Sequence, residues 1–114
     1  WGTGETKREF RFVNDMDKAS VHIMNLDKQT FDQYSEIRCS HINVGSGKDL
    51  TIKELAEIIK EVVDYKGEIN FDSSKPDGTP RKLMSSNRLN SLGWKPSINL
   101  KEALTITYND YLNK

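Results

Sequence analysis

The strongest constraint on the fold is an amphipathic segment in the middle of the chain, residues 49–65, with the sequence DLTIKELAEIIKEVVDY. Thr51 and Glu54 have the spacing of a capping box, in which two side chains accept backbone hydrogen bonds at a helix start. Apolar residues then form one continuous helical stripe: Ile52, Leu55, Ala56, Ile59, Val62 and Val63. Because such a stripe must be buried against another element, the segment predicts a helix packed inside a folded domain.

Strand-like segments lie on both sides of this helix. Residues 8–13 (REFRFV) and 68–72 (EINFD) alternate between charged or polar and apolar side chains, which is the period of a half-buried strand. Residues 41–45 (HINVG) are a short β-branched run that ends at a glycine. Strands that alternate with helices favour an α/β fold, although these strands are few for a complete sheet.

Three further helices are predicted. The first starts at Asn14 or Asp15 and turns one face inward, formed by Met16, Ala19, Ile23 and Met24. A short helix within residues 85–94 is closed by Gly93. The last starts at Asn99, whose spacing to Glu102 mimics a second capping box, and its predicted inner face is Leu100, Ala103, Leu104, Tyr108, Tyr111 and Leu112.

Length and charge limit the classes of function. The 114 residues suffice for one small domain. The 17 basic residues balance 17 acidic ones, so the excess of positive charge typical of a nucleic-acid-binding protein is absent. No apolar run approaches the roughly 18 residues of a membrane helix. The chain starts at Trp1 in a glycine-rich turn, without an initiator Met, and is expected to be a piece of a longer protein.

The single cysteine, Cys39, has no partner for an internal disulfide, which favours a reducing, cytoplasmic setting. Cys39 and His41 would face the same way in a strand, so a nucleophile pair is conceivable, although a buried thiol and a structural histidine are the favoured interpretation. The cysteine and the two histidines lack metal-ligand spacing, and none of the tyrosines has the Tyr-x-x-x-Lys spacing of a short-chain reductase.

A basic turn at residues 73–83, SSKPDGTPRKL, is the main candidate for ligand binding. Pro76, Asp77 and Gly78 form strong turn chemistry, and a stiff loop loses little entropy when it holds a ligand. If the segment after the turn is strand-like, Arg81 and Lys82 point to opposite sides and only one of them faces a given ligand. Composition alone leaves open whether this is a solvated turn or an anion site.

Residues 43–51, NVGSGKDLT, suggest a phosphate site at a helix N-terminus. The dinucleotide fingerprint fails because its third glycine is replaced by Leu50, and the P-loop fails because Lys48 is followed by Asp49. A plain tight connection between a strand and a helix is therefore favoured. Trp1 and Arg8, seven residues apart, could offer a flat ring and a planar cation to a ligand, or could be a packing residue and a surface charge.

In order and spacing, four stretches resemble the C-terminal third of GDP-L-fucose synthases, which are extended short-chain dehydrogenase/reductases. They are residues 1–16 (WGTGETKREFRFVNDM), 40–59 (SHINVGSGKDLTIKELAEII), 63–83 (VDYKGEINFDSSKPDGTPRKL) and 92–96 (LGWKP), and the resemblance spans essentially the whole chain. KPDGTPRKL is specific to this branch, whereas NVGSG is shared across sugar-nucleotide epimerases and dehydratases.

The resemblance implies an NADP(H)-dependent enzyme that epimerises GDP-4-keto-6-deoxy-D-mannose at C3 and C5 and then reduces its 4-keto group. It implies that residues 1–114 are a single partial domain, the C-terminal substrate-binding part, and that residues 41–45 belong to the edge of a Rossmann sheet. The catalytic residues and most of the NADP(H) site belong to an N-terminal domain absent from this chain. The intact enzyme is expected to be a homodimer. The chain alone is expected to be inactive and to self-associate through exposed apolar faces.

By matching positions, the resemblance assigns substrate binding to Trp1, Arg8, Asp77 and Lys82. An arginine and a lysine from two segments would neutralise the diphosphate of a GDP-sugar. The family usually has other residues at Phe12 and Ser85, so a different nucleotide-sugar epimerase or dehydratase stays open. A non-catalytic binding module is the remaining alternative.

Overall fold

The computed structural model describes all 114 residues and contains a three-stranded sheet and five helices. The strands are β1 (Lys7–Glu9), β2 (Asp49–Thr51) and β3 (Arg81–Lys82). The helices are α1 (Val13–Met24), α2 (Lys28–Tyr34), α3 (Ile52–Val62), α4 (Asn87–Ser91) and α5 (Leu100–Leu112). The predicted α/β class is thus confirmed. None of the helices has the length and apolar character that crossing a membrane requires.

The sheet has the order β2-β1-β3, so the first strand is its centre. Strand β1 pairs antiparallel with β2 and parallel with β3. Further backbone bonds extend this pairing: the Lys7 amide donates to Pro80 O at 2.8 Å, and the Ile52 amide donates to Thr6 O at 3.0 Å. The first nine residues therefore join the start of α3 to the segment that carries the basic turn.

The strand predictions were only partly correct. Of the strand predicted at 8–13, only Arg8 and Glu9 lie in a strand, β1, and Val13 already belongs to α1. Residues 41–45 and 68–72 form no strand. A strand needs a neighbour for its backbone hydrogen bonds, and neither segment pairs with the open edge of β2 or β3. The apolar side chains of Ile42 and Val44 instead pack against the core.

Helix α3 begins with the predicted capping box. The Thr51 amide donates to Glu54 Oε2 at 2.7 Å, and the Glu54 amide donates to Thr51 Oγ1 at 3.0 Å. The bonds that the Glu54 carboxylate accepts from the Thr51 amide and the Thr51 hydroxyl lower the pKa of this carboxyl below its ordinary value. The box satisfies two donors at the helix start that would otherwise lack a protein partner.

Replacing Thr51 with alanine is expected to lower the free energy of unfolding by about 1 kcal/mol, because the cap bond to Glu54 is lost. Thermal unfolding followed by circular dichroism measures the change. Thr105→Ala is the matched control, since the Thr105 hydroxyl bonds only Lys101 O within α5 and is exposed. Equal losses in the two variants would contradict a specific role for the cap.

Helix α1 starts differently from the prediction. Its N-cap residue is Phe12, which supplies no side-chain cap. Asp15, one of the two predicted caps, is buried and accepts bonds from the Ser97 amide at 3.1 and 3.2 Å and from the Ser97 hydroxyl at 2.5 Å. Asp15 therefore fastens α1 to the loop that precedes α5. On the predicted inner face Ala19 is fully buried, but Met24 is 83% exposed.

Helix α5 has half of the predicted capping box. Asn99 Oδ1 accepts from the Glu102 amide at 2.9 Å, without the reciprocal bond. Of its predicted inner face Ala103 is buried, whereas Tyr111 and Leu112 are 72% and 61% exposed. The helix packs against α3, and an exposed ion pair of 2.6 Å between Lys101 and Glu61 joins the two helices.

The hydrophobic core is small. Ala19, Leu89 and Trp94 form it, and only nine of the 114 residues are buried. Gly93, with φ +88°, ends α4 as predicted and turns the chain so that Trp94 enters the core. The radius of gyration is 17.4 Å, compared with about 13 Å for a compact chain of this length. The open shape leaves much apolar surface exposed to solvent.

Candidate functional site

The four predicted substrate-binding residues lie on two segments that run side by side, residues 1–9 and 72–84. The segments are joined by the β1–β3 pairing and by a bond from the Gly2 amide to Asp72 O at 2.9 Å. The structure therefore brings the glycine-rich start of the chain and the basic turn together into one surface. The charges and hydrogen bonds within that surface decide what it can bind.

Arg8 and Lys82 lie directly opposite each other on the paired strands β1 and β3. They are register partners in the parallel ladder, so their side chains leave the same face of the sheet from Cα atoms about 4.8 Å apart. Arg8 Nη1 donates to the carbonyl oxygens of Lys7 and Thr79, at 2.6 and 2.7 Å. Neither cation forms an ion pair. Because like charges in directly opposed positions repel, this face is suited to an anion.

On the other face of the β1–β3 pair, the positive charge of Arg81 is neutralised by a carboxylate of the same sheet. Arg81 leaves it and binds Asp49, with its Nη2 at 3.1 Å from Oδ1 and its Nε on the second oxygen. The bond lowers the pKa of the Asp49 carboxyl and raises the pKa of Arg81. Arg81 and Lys82 thus point to opposite sides, as the sequence predicted, and Lys82 is the one left without a counter-ion.

Asp77 is held in place by the start of the chain. Its two oxygens accept from the Thr3 amide at 2.9 Å and from the Thr3 hydroxyl at 2.8 Å. These bonds lower the pKa of its carboxyl. A Cβ at Gly2, where φ is +73°, would lie 2.2 Å from Asp77 Oδ1, so only glycine fits there. Asp77 is therefore a hydrogen-bond acceptor of fixed orientation, and its bonds to Thr3 also hold the basic turn against the start of the chain.

Trp1 stands at the outer rim of this surface. Its side chain is 88% exposed, and Lys75 Nζ lies 5.9 Å from the centroid of its ring. A cation–π contact of this kind contributes about 0.5–1 kcal/mol at an exposed site. An exposed indole offers a flat surface on which an aromatic base or a sugar ring can stack.

Glu9 occupies the glycine loop that resembles a phosphate site. Its carboxylate accepts from the Gly47 amide at 2.9 Å, the Ser46 hydroxyl at 3.1 Å and the Met84 amide at 3.3 Å. A dinucleotide phosphate would meet this negative charge where it needs free amides. The residues of this loop therefore do not fit a cofactor phosphate.

Sequence reasoning missed Glu9 and Thr3. Strand alternation places Glu9 on the face opposite Arg8, but the donors that it binds are 37 to 75 residues away in sequence. Thr3 fixes Asp77 across 74 residues. Nothing in the sequence around Ser46, Gly47 or Thr3 indicates that their partners lie so far away.

Cys39 and His41 do contact each other, with Cys39 Sγ 3.3 Å from His41 Nδ1. The favoured interpretation of a buried thiol was wrong, since Cys39 is half-buried and His41 is exposed. Residues 39–41 form no strand, so their contact comes from the loop that follows the Glu36–Cys39 bridge.

Comparison with known proteins places this geometry in context. No protein-family model matches the chain. It is 54% identical over 112 residues to a putative GDP-L-fucose synthase 2 of Arabidopsis thaliana, which covers 98% of this chain and 31% of that protein. The chain therefore spans about a third of the length of its curated relatives.

Solved structures agree with the sequence relatives. A GDP-6-OMe-4-keto-L-xylo-heptose reductase from Campylobacter jejuni is 37% identical with a TM-score of 0.89, over 99% of this chain and 33% of that one. A GDP-D-glycero-L-gluco-heptose synthase from the same organism, crystallised in the presence of NADPH, is 34% identical with a TM-score of 0.87, over 98% of this chain and 32% of that one. The resemblance predicted from the sequence is confirmed.

Proposed function

We propose that this chain, as part of a GDP-L-fucose synthase, binds the GDP-sugar substrate through Arg8 and Lys82. The observation that carries the proposal is the pairing of these two side chains on one face without a counter-ion. The 54% identity to a putative GDP-L-fucose synthase over 98% of the chain supports the assignment of the whole protein.

Each residue of the surface has a role that its chemistry allows. The diphosphate carries two negative charges, which Arg8 meets as a planar fork and Lys82 as a point charge. Trp1 offers its ring to the guanine or to a sugar. Asp77, oriented by Thr3, accepts from guanine N–H groups or sugar hydroxyls with its remaining lone pairs.

In the intact enzyme the substrate would be GDP-4-keto-6-deoxy-D-mannose, epimerised at C3 and C5 and then reduced at the 4-keto carbon. NADPH would supply the hydride and would be bound mainly by the N-terminal domain of the intact enzyme; in this chain Glu9 occupies the one loop that resembles a phosphate site. This chain would contribute binding energy and orientation at the reacting carbons rather than an acid or a base. A homodimer and a cytoplasmic location complete the proposal, the latter supported by the single free cysteine.

Calorimetric titration of GDP into the 114-residue protein, with UDP as the comparison, tests the proposal. We expect GDP to bind measurably more tightly than UDP. Guanine offers Asp77 N–H donors in an arrangement that uracil lacks. The same preparation should oxidise no NADPH when the keto-sugar is supplied. Equal binding of the two nucleotides would argue against guanine recognition, and NADPH oxidation by this chain would refute its purely binding role.

A second candidate substrate class is a related GDP-sugar. Two observations favour it: the solved relatives at 34% and 37% identity are named for GDP-heptose chemistry, and Phe12 and Ser85 depart from the residues that GDP-L-fucose synthases usually have. In both candidates Arg8 and Lys82 would bind the diphosphate. They differ in the sugar, so titration with GDP-fucose and a GDP-heptose separates them.

A further inference from the structure

A cavity of about 700 Å³ lies apart from the surface described above. It is lined by the loop at residues 10–12, residues 46–50, the middle of α3 at Ile58, the loop at residues 95–99 and the start of α5. None of the four proposed substrate-binding residues lines it. Its volume is in the range of small-molecule sites in proteins.

Three cationic side chains line this cavity: Arg11, Lys48 and Lys95. None of them takes part in an ion pair. Arg11 Nη1 is buried and lacks any hydrogen-bond partner, which is unfavourable for a charged donor. Arg11 also lines the cavity, so an anion bound there would supply the counter-charge that this cation lacks.

The acidic residues of the cavity are already engaged. Asp15 accepts from Ser97 through both oxygens, and Asp49 is bound by Arg81, which lies outside the cavity. The start of α5 at Leu100 adds the positive end of a 13-residue helix. Ser97 is uncharged and leaves the negative charge of Asp15 in place, but the three cations outnumber it, so the lining is positive overall.

Much of the remaining wall is apolar. It includes two aromatic rings and several aliphatic side chains: Phe10, Phe12, Leu50, Ile58, Ile98 and Ala103. Such a wall favours a ligand with an apolar body. A free inorganic anion would leave this surface uncovered, and a neutral hydrocarbon would leave Arg11 without a partner.

We propose that this cavity binds a small organic anion, with an aromatic or aliphatic body against the two phenylalanines and a phosphate or carboxylate group on Arg11, Lys48 and Lys95. The site is independent of the proposed GDP-sugar surface. A bound ligand would link the loop before α1 to residues 46–50 and to the start of α5.

Phenyl phosphate is the probe, titrated into the ¹⁵N-labelled protein and followed by backbone amide shifts, with phenol as its neutral counterpart. We expect the amides of cavity residues such as Leu50 and Leu100 to shift with a dissociation constant on the order of 1 mM, an ordinary affinity for a ligand of this size. Arg11→Gln should weaken binding about tenfold or more, because a charge-assisted bond is lost.

Lys53→Gln is the matched control, since Lys53 is an exposed cation at the start of α3 that does not line the cavity. It should leave the affinity unchanged, and phenol should bind more weakly than phenyl phosphate. If the Arg11 variant loses its folded spectrum, Lys95→Gln takes its place. The proposal fails if the cavity amides do not shift, if the cavity variant binds like Lys53→Gln, or if GDP displaces the probe, which would place it on the other surface.

Discussion

Replacing Lys82 with alanine lowers the affinity of the protein for GDP by about 10- to 100-fold, and replacing Arg8 does the same. Each change removes one charged partner of the diphosphate, and a hydrogen bond to a charged group contributes about 1.5–3 kcal/mol. Because the two cations are register partners, the double variant should lose less than the sum of the single effects. Calorimetric titration at fixed ionic strength measures all three affinities.

Lys7→Ala is the matched control for this series. Lys7 is an exposed cation on the same strand, but it leaves the opposite face, as the register partner of Arg81. Its replacement removes the same charge and should leave GDP affinity near that of the unchanged protein. A loss in Lys7→Ala as large as in Lys82→Ala would mean that only net charge matters and that the ladder face has no specific role.

Replacing Leu89 with alanine is expected to lower the free energy of unfolding by about 2–5 kcal/mol. Leu89 is the largest fully buried side chain, and it contacts the small core that Ala19 and Trp94 complete. A small domain is stable by only about 5–15 kcal/mol, so this loss removes much of the total. Urea unfolding followed by tryptophan fluorescence reports it, because Trp94 lies in the same core.

Leu112→Ala removes the same atoms from a leucine that is 61% exposed in α5. It should change the free energy of unfolding by less than about 0.5 kcal/mol, as surface substitutions usually do. Equal destabilisation by the two variants would show that the core around Leu89 does not dominate the stability of the chain.

The sequence predicted those elements whose signals are local. The Thr51–Glu54 box, the Asn99 cap and the Gly93 end of α4 depend on residues a few positions apart, and the structure has all three. The helix α3 itself is local in the same sense, but the predicted burial of its apolar stripe is incomplete, since none of its residues is fully buried and Ile59 is 38% exposed. For these elements, backbone geometry and side-chain spacing settle the outcome within one or two helical turns.

The strands could not be predicted from alternation alone. Residues 41–45 and 68–72 have good strand composition, yet β1 pairs with Asp49–Thr51 and Arg81–Lys82. Alternation reports which side chains are apolar, but pairing depends on which backbone reaches the two edges of the central strand. That choice is a property of the whole chain.

The candidate site was predicted in part for the same reason. Strand alternation in residues 81–82 correctly separated Arg81 from Lys82, because it is a local rule. The other contacts are distant in sequence: Asp49 lies 32 residues from Arg81, which it neutralises, and Thr3 lies 74 residues from Asp77, which it holds in place. The roles of Trp1, Arg8, Asp77 and Lys82 in substrate binding stay predictions that the titrations above address.

The parallel ladder that unites Arg8 and Lys82 has a consequence for the order of folding. Closing a loop of 74 residues between Thr3 and Asp77 loses chain entropy before any contact compensates for it. The helices, built from neighbours, form first, and the ladder forms late. A nucleotide that requires both strands then acts mainly on the last step, so it would slow unfolding more than it speeds folding.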